Sequence, residues 1–197
     1  MPNNQAILTP DFTYHIFNRA NGNERLFVSD ENYRFFLERY KKYVQPIAET
    51  FCYCLMPNHF HFLVRVRSEK ELLEAFPKFQ TLEKLLSKQF SNLFSSYTQA
   101  FNKVTGRRGS LFMKNFNRIQ VSDEKYLLKL IHYIHFNPVE GGLVAHPQDW
   151  QFSSYRAIIS KNPTMLKREE VIHWFGDLDN FIHCHKYPPS ITGIEDL

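Results

Sequence analysis

Cysteine is scarce: three residues in 197, Cys52, Cys54 and Cys184, with no C-x-x-C pair among them. An odd count without such a pair argues against a disulfide framework and for free thiols in a reducing cytoplasm. Long apolar runs are missing too, none approaching the roughly 20 residues that span a bilayer. The opening MPNNQAILTPDF has neither the basic nor the apolar region of a secretory signal. A soluble, cytoplasmic chain with no membrane partner is the expectation. Excess charge of one sign is modest, at a formal +4, which permits a polyanionic partner without demanding one. No internal repeat is visible.

What is present suits a folded core. Hydrophobic residues make up 43% and aromatic residues 16% of the chain, well outside the range of disordered sequences. The length suits one sizeable core. Residues 13–19, TYHIFNR, alternate like a strand and run into the turn-forming NRANGNER. Residues 29–44 place Tyr33, Phe36, Leu37 and Tyr40 at helical spacing behind a Ser29 or Asp30 cap. IAETFCYCLM and HFHFLVRV read as two strands of a hairpin turned at Pro57 and Asn58, with Cys52 and Cys54 as buried strand positions.

Residues 77–104 keep helical period through Leu82, Leu85, Leu86, Phe90, Leu93, Phe94 and Tyr97, as one long helix or a bent pair. After the basic turn TGRRGS, LFMKNFNRIQV reads as a strand. Residues 122–137 read as a helix capped by Ser122 or Asp123 and halted by Pro138. This order of elements predicts an α+β, ferredoxin-like antiparallel sheet with helices packed on one face. SSYRAII and KREEVIHWF add C-terminal helices anchored by Trp150, and KYPPSITGIEDL is expected to be a loose tail.

The chemistry concentrates in two stretches. In MPNHFHFLV, His59 and His61 lie two apart on a strand, so both imidazoles project to one face with Phe60 on the other. Such a pair can grip a metal, or simply pack. In HYIHFNPVEGGLV, Tyr133 and Asn137 are one helical turn apart, although Asn before Pro is also an ordinary helix ending and Tyr133 has apolar neighbours. Taken together, His59, His61 and the Asn137 carbonyl oxygen suit one divalent cation beside the Tyr133 hydroxyl, with a phosphodiester as the natural substrate. Tyr126, seven residues before Tyr133, reads as packing or a substrate contact. His135 falls on the opposite helical face and reads as structural, while His132 is close enough to approach the site. HCH at 183–185 has no second ligand group and reads as surface or minor packing. In GRRGSLFMKNFNR, cations Arg107, Arg108, Lys114 and Arg118 interleave with rings Phe112 and Phe116, a pattern that suits phosphates and unstacked bases as well as a solvated turn.

MPNHFHFLV resembles the His-hydrophobic-His signature of the HUH endonucleases. YIHFNPVEGGLV followed by DWQFSSYR resembles the IS200-like single-tyrosine transposases, in their REP-associated tyrosine transposase (RAYT) branch. The resemblance runs from about residue 13 to 158, which suggests a transposase domain over 1–160 and a helical extension with tail over 161–197. It implies that Tyr133 is the nucleophile, that His59, His61 and Asn137 hold Mg2+ or Mn2+, and that single-stranded or hairpin DNA is cleaved through a 5′-phosphotyrosine link. It favours DNA contact for the basic, aromatic segment, and leaves open a monomer or a homodimer exchanging its tyrosine helix. A non-catalytic binder of structured nucleic acid on the same scaffold is the rival reading. A metal-dependent hydrolase activating water is a third.

Overall fold

The computed structural model describes residues 5–79 and 81–189. The expected loose tail lies, from residue 190 on, outside the described residues. Four strands, β1 (Thr13–Arg19), β2 (Ala48–Leu55), β3 (His59–Val66) and β4 (Asn117–Gln120), form one sheet in the order β2-β3-β1-β4, every pair antiparallel. The helices are α1 (Asp30–Tyr43), α2 (Glu69–Ala75), α3 (Leu82–Thr105), α4 (Glu124–Glu140), α5 (Tyr155–Ile159), α6 (Arg168–Trp174) and α7 (Leu178–Cys184). This is the expected α+β, ferredoxin-like arrangement.

Strand alternation sorts the side chains into two cores. Tyr14 and Ile16 of β1, with Phe60, Phe62 and Val64 of β3, meet Phe36 and Tyr40 of α1 and Phe90 and Tyr97 of α3. Each fully buried ring of this kind contributes about 1.5–3 kcal/mol of transfer free energy. The buried polar tips are satisfied: the Tyr97 hydroxyl donates to the Leu26 carbonyl at 2.5 Å and Tyr40 shares a 2.7 Å bond with Thr50. On the other face, Leu63 of β3 and Cys52 and Cys54 of β2 pack against Leu130, Ile131 and Ile134 of α4 and against Val171 and Phe181 from the last two helices. A register shift between Thr50 and Cys52 turns both thiols to this face, where they are fully buried. The expectation of helices on one face therefore holds for α1 and α3, whereas α4 lies across the other.

Two local expectations need correction. The strand expected over LFMKNFNRIQV is only its last third, β4. The chain leaves the ladder before it because Asn115 adopts a left-handed φ of 63° and the Met113 carbonyl is taken by the Asn18 side chain. Pro138 does not halt α4, which continues to Glu140. Near a helix end the missing N–H removes a single bond, and the Gly141 N–H closes the last turn on Asn137 O at 2.8 Å. The 77–104 pattern becomes one uninterrupted helix, α3, ended by Gly106 at a φ of 70°. Short α2, started by a Ser68–Glu71 capping box, has no long periodic signal in the sequence.

The C-terminal helices are fastened by polar groups. Arg65 bonds Glu49 at 2.6 Å and Glu170 at 3.0 Å, tying α6 to the sheet edge. Deeper in, His185 Nδ1 donates to the Phe181 carbonyl at 2.8 Å, so its Nε2 accepts from His135 Nδ1 at 3.1 Å. His135 Nε2 then accepts from the Ser154 hydroxyl at 2.7 Å. His185 is 2% exposed, so of the two expectations for HCH, packing holds for it, while His183 stays at the surface. His132 turns toward this cluster, bonded to the Tyr187 carbonyl at 2.8 Å.

Burial lowers the pKa of His185 to about 3 and holds that of His135 well below its ordinary value. The unfolded chain, with imidazoles near 6.5, binds more protons below that pH, so this contribution is complete above about pH 6.5 and is lost as pH falls toward 3. Calorimetric unfolding midpoints should be level from about pH 8 to 6.5 and decline below, less steeply in His185→Phe. An equal decline in the variant would place the proton uptake elsewhere.

Candidate active site

The turn before β3 fixes where the imidazoles begin. Met56 N–H donates to His59 O at 2.8 Å, while the Pro57 and Asn58 carbonyls accept from Leu26 and Ala20, each at 2.8 Å. His59 thus opens β3, and alternation places it with His61 on the α4 side of the sheet, ring centroids 5.1 Å apart. On α4, Leu130, Ile131 and Ile134 dock into the apolar part of that face, which brings Tyr133 and Asn137 over the histidine part. A Cβ on Gly141 would stand 2.9 Å from Met56 Cε, so the end of α4 rests directly on the turn that starts β3.

The four residues expected to work together converge within one chain. Asn137 Oδ1 is 3.1 Å from His59 Nε2, and its Nδ2 donates to the Tyr133 carbonyl at 3.2 Å. The Tyr133 ring stands edge-on to His61 at 5.5 Å. Tyr133, His59 and His61 line a cavity of about 280 Å³ together with Asn18, Arg19 and Asn117.

Proton counting gives this cluster its character. Burial lowers the pKa of His59, so its ring carries one proton, yet carbonyl oxygens face both nitrogens: Asn58 Oδ1 at Nδ1, 2.7 Å away, and Asn137 Oδ1 at Nε2. One oxygen must therefore face a nitrogen lone pair. His61, 2% exposed, is also kept neutral by burial, and its Nε2 has no hydrogen-bond partner among the described residues. With one proton for two oxygens at His59 and an unpartnered nitrogen on His61, the cluster is short of proper hydrogen-bond pairs, a shortfall that a bound cation would relieve. No cluster of three His, Cys, Asp or Glu side chains suited to a metal occurs among the described residues. The set that fits is two imidazoles and a carboxamide oxygen. Burial raises the Tyr133 pKa, opposed by a hydrogen bond to the Asn137 side chain, so the phenol is protonated at neutral pH and needs assistance as a nucleophile.

Two residues of the site escaped the sequence reading. His15 Nε2 lies 2.9 Å from His61 Nδ1, and His15 is fully buried. Arg19, exposed at the end of β1, lines the cavity. Both share the parity of Phe17 on β1, but only the register that sets Phe17 opposite His61 brings them to the imidazoles.

The basic, aromatic segment divides. Arg107 is bound to Glu24, to Asn102 at 3.1 Å and to the Ser110 carbonyl at 2.7 Å, bracing its own loop. Phe112 borders a groove that Lys114 also lines but is 5% exposed in the larger core, which leaves little of its ring to meet a base. Arg118 donates to the Ala6 carbonyl at 2.5 Å and covers Phe116, which stacks on Phe90. Arg108 and Lys114 remain exposed. Lys114 and Phe116 line an open groove of about 610 Å³ with Ser91, Phe94 and Ser95, and Asn18 borders both this groove and the histidine cavity. Among the described residues, no carboxylate lines the groove. Tyr126 is half-buried among the α4 contacts, and Trp150 donates to the Leu55 carbonyl at 3.0 Å as a packing anchor.

A four-stranded antiparallel sheet with a long helix carrying a tyrosine and an amide over paired imidazoles defines the class of fold and site. That fold is shared with a solved REP-associated tyrosine transposase bound to a REP hairpin, at a TM-score of 0.60 and 14% identity, covering 83% of this chain and 89% of that one. In sequence, the chain is 28% identical over 109 residues to a Haemophilus influenzae protein named as a REP-associated tyrosine transposase. The match takes in 54% of this chain and 58% of that relative, less than two thirds of its length. No family model matches. Both similarities fall on the family that the motifs resemble.

Since Arg107 holds its loop through several bonds, Arg107→Ala should lower stability by about 1 kcal/mol in chemical denaturation, the usual scale for a partly exposed hydrogen-bonded group. Lys114→Ala should leave the denaturation midpoint unchanged. A reversed pattern would return Arg107 to the list of free cations.

Proposed function

We propose that this chain is a single-stranded DNA endonuclease and strand transferase of the REP-associated tyrosine transposase kind, dependent on Mg2+ or Mn2+ and acting on DNA that folds into a hairpin. The observation that carries the reading is that His59, His61 and Tyr133 line one small cavity, with Asn137 Oδ1 against His59 Nε2. A hairpin-bound solved protein of the same fold supports the class of partner.

His59 Nε2, His61 Nε2 and Asn137 Oδ1 would hold the cation, which when bound polarises a phosphoryl group and stabilises charge building on it. The Tyr133 hydroxyl oxygen attacks phosphorus as the bond to O3′ breaks. The phenol proton is passed, overall, to O3′, leaving a free 3′-hydroxyl and a 5′-phosphate esterified to the tyrosine. Because one ester replaces another, a 3′-hydroxyl can reverse the step and rejoin strands without a nucleotide cofactor. Arg19, which lines the same cavity, would meet a phosphate held there, and the groove beyond Asn18, with Lys114 and with no carboxylate among the described residues that line it, would give the flanking strand a path.

Incubating labelled hairpin DNA with protein and Mn2+ should yield an adduct that survives SDS. Tyr133→Phe should abolish it, as should chelation of the metal, and His59→Ala should reduce it at least tenfold. Absence of any adduct across varied hairpins that still bind would favour a non-catalytic regulator, and cleavage surviving in Tyr133→Phe would favour water activation.

Binding itself offers a separate check. Lys114→Ala and Arg19→Ala should each weaken hairpin binding across sequences and flatten the dependence of log affinity on log salt by about one unit, as loss of a phosphate contact does. An unchanged slope would remove that residue from the DNA path.

A further inference from the structure

We propose that His15 is a positioning residue for the metal site: it accepts the Nδ1 proton of His61 and so presents the His61 Nε2 lone pair to the cation. The inference rests on the metal reading of the cavity given above.

The N···N contact between His15 Nε2 and His61 Nδ1, at 2.9 Å, holds one proton. If His15 owns it, His61 carries its own proton on Nε2 and cannot bind a cation there. If His61 owns it, Nε2 is a bare lone pair. Only the second arrangement makes a ligand, and only an acceptor at the His15 position stabilises it.

The geometry of the two rings is set by the sheet. Phe17 pairs directly with His61, and His15 sits diagonally beyond it on the same face. The His15 and His61 rings lie within 17° of parallel, and Phe17 stacks on His15 at 4.6 Å. His15 is 0% exposed, and its far nitrogen, Nδ1, has no partner among the described residues. A buried imidazole that satisfies only one of its nitrogens is a poor choice for packing alone, since an unpartnered buried polar atom is destabilising. Its one bond goes to His61. Partners of this kind fix the tautomer and ring orientation of metal-binding histidines, and their loss typically weakens metal affinity about 10–100-fold.

The test uses Mn2+ alone, without DNA. Free Mn2+ is counted by electron paramagnetic resonance during titration of the wild type, His15→Phe and His15→Gln, with unfolding temperatures measured alongside. His15→Phe fills the space without an acceptor and should weaken Mn2+ binding about 10–100-fold while unfolding at the wild-type temperature or above. His15→Gln places an amide oxygen near the lost nitrogen and should recover most of the affinity. In the Mg2+-loaded wild type, nitrogen-15 NMR should show the His61 proton on Nδ1. Equal Mn2+ affinity in His15→Phe overturns the role of His15 and leaves the metal reading standing, whereas a His61 proton on Nε2 in the loaded protein removes His61 from the ligand set and overturns both. A wild type that takes up no Mn2+ overturns both.

Discussion

The docking of α4 on the histidine-bearing face of the sheet is the constraint from which the rest follows. That face is apolar at Leu63, Cys52 and Cys54 and polar at His15, His59 and His61, and α4 matches it along its length. Leu130, Ile131 and Ile134 occupy the apolar part, so the next turns have no freedom about where Tyr133 and Asn137 fall. Burial of the aliphatic positions supplies the free energy, and the polar ones are carried into place. The close approach of Gly141 to Met56 ties the end of the helix to the turn that begins β3, so both halves of the site share one mechanical support.

Two histidine clusters flank α4, and hydrogen bonding tells them apart. The chain from Phe181 through His185 and His135 to Ser154 uses every ring nitrogen, each proton having one donor and one acceptor. Such a closed chain is a fastener, and any added proton breaks it. The cluster of His15, His61 and His59 is open: two buried nitrogens lack partners among the described residues, and one imidazole is pressed between two carbonyl oxygens. Buried polar groups are normally paired, so the unpartnered Nε2 of His61, a residue that lines the cavity, marks the place where something else completes the site. The imidazoles look alike in the sequence; their partners separate them.

Much of the architecture was readable because it rests on local pattern. Strand β1 was read at its true bounds, the hairpin turn at Pro57–Asn58 was explicit, and the Tyr33-to-Tyr40 spacing of α1 was strong. The readings that failed or stayed open involve competition between local signal and distant partners. Asn18 draws away the Met113 carbonyl and delays the start of a strand, and an apolar anchor at Phe181 buries His185, for which the sequence left surface and minor packing both open. The basic loop shows the same limit: Arg107 and Arg108 are adjacent and chemically identical, yet Glu24 engages one and leaves the other exposed.

By itself the sequence determined the alternation that turns His59 and His61 to one side, the helical turn linking Tyr133 to Asn137, and the order of elements that suits a ferredoxin-like sheet. These depend on spacings of two and four residues, which backbone geometry converts into shared faces without reference to the rest of the chain. Only the tertiary structure decided that the two faces meet, that α4 crosses the side opposite α1 and α3, and that His15 and Arg19 join the site. Those outcomes depend on strand register and on which apolar surfaces bury one another, quantities set by residues tens of positions apart and therefore invisible to any local pattern.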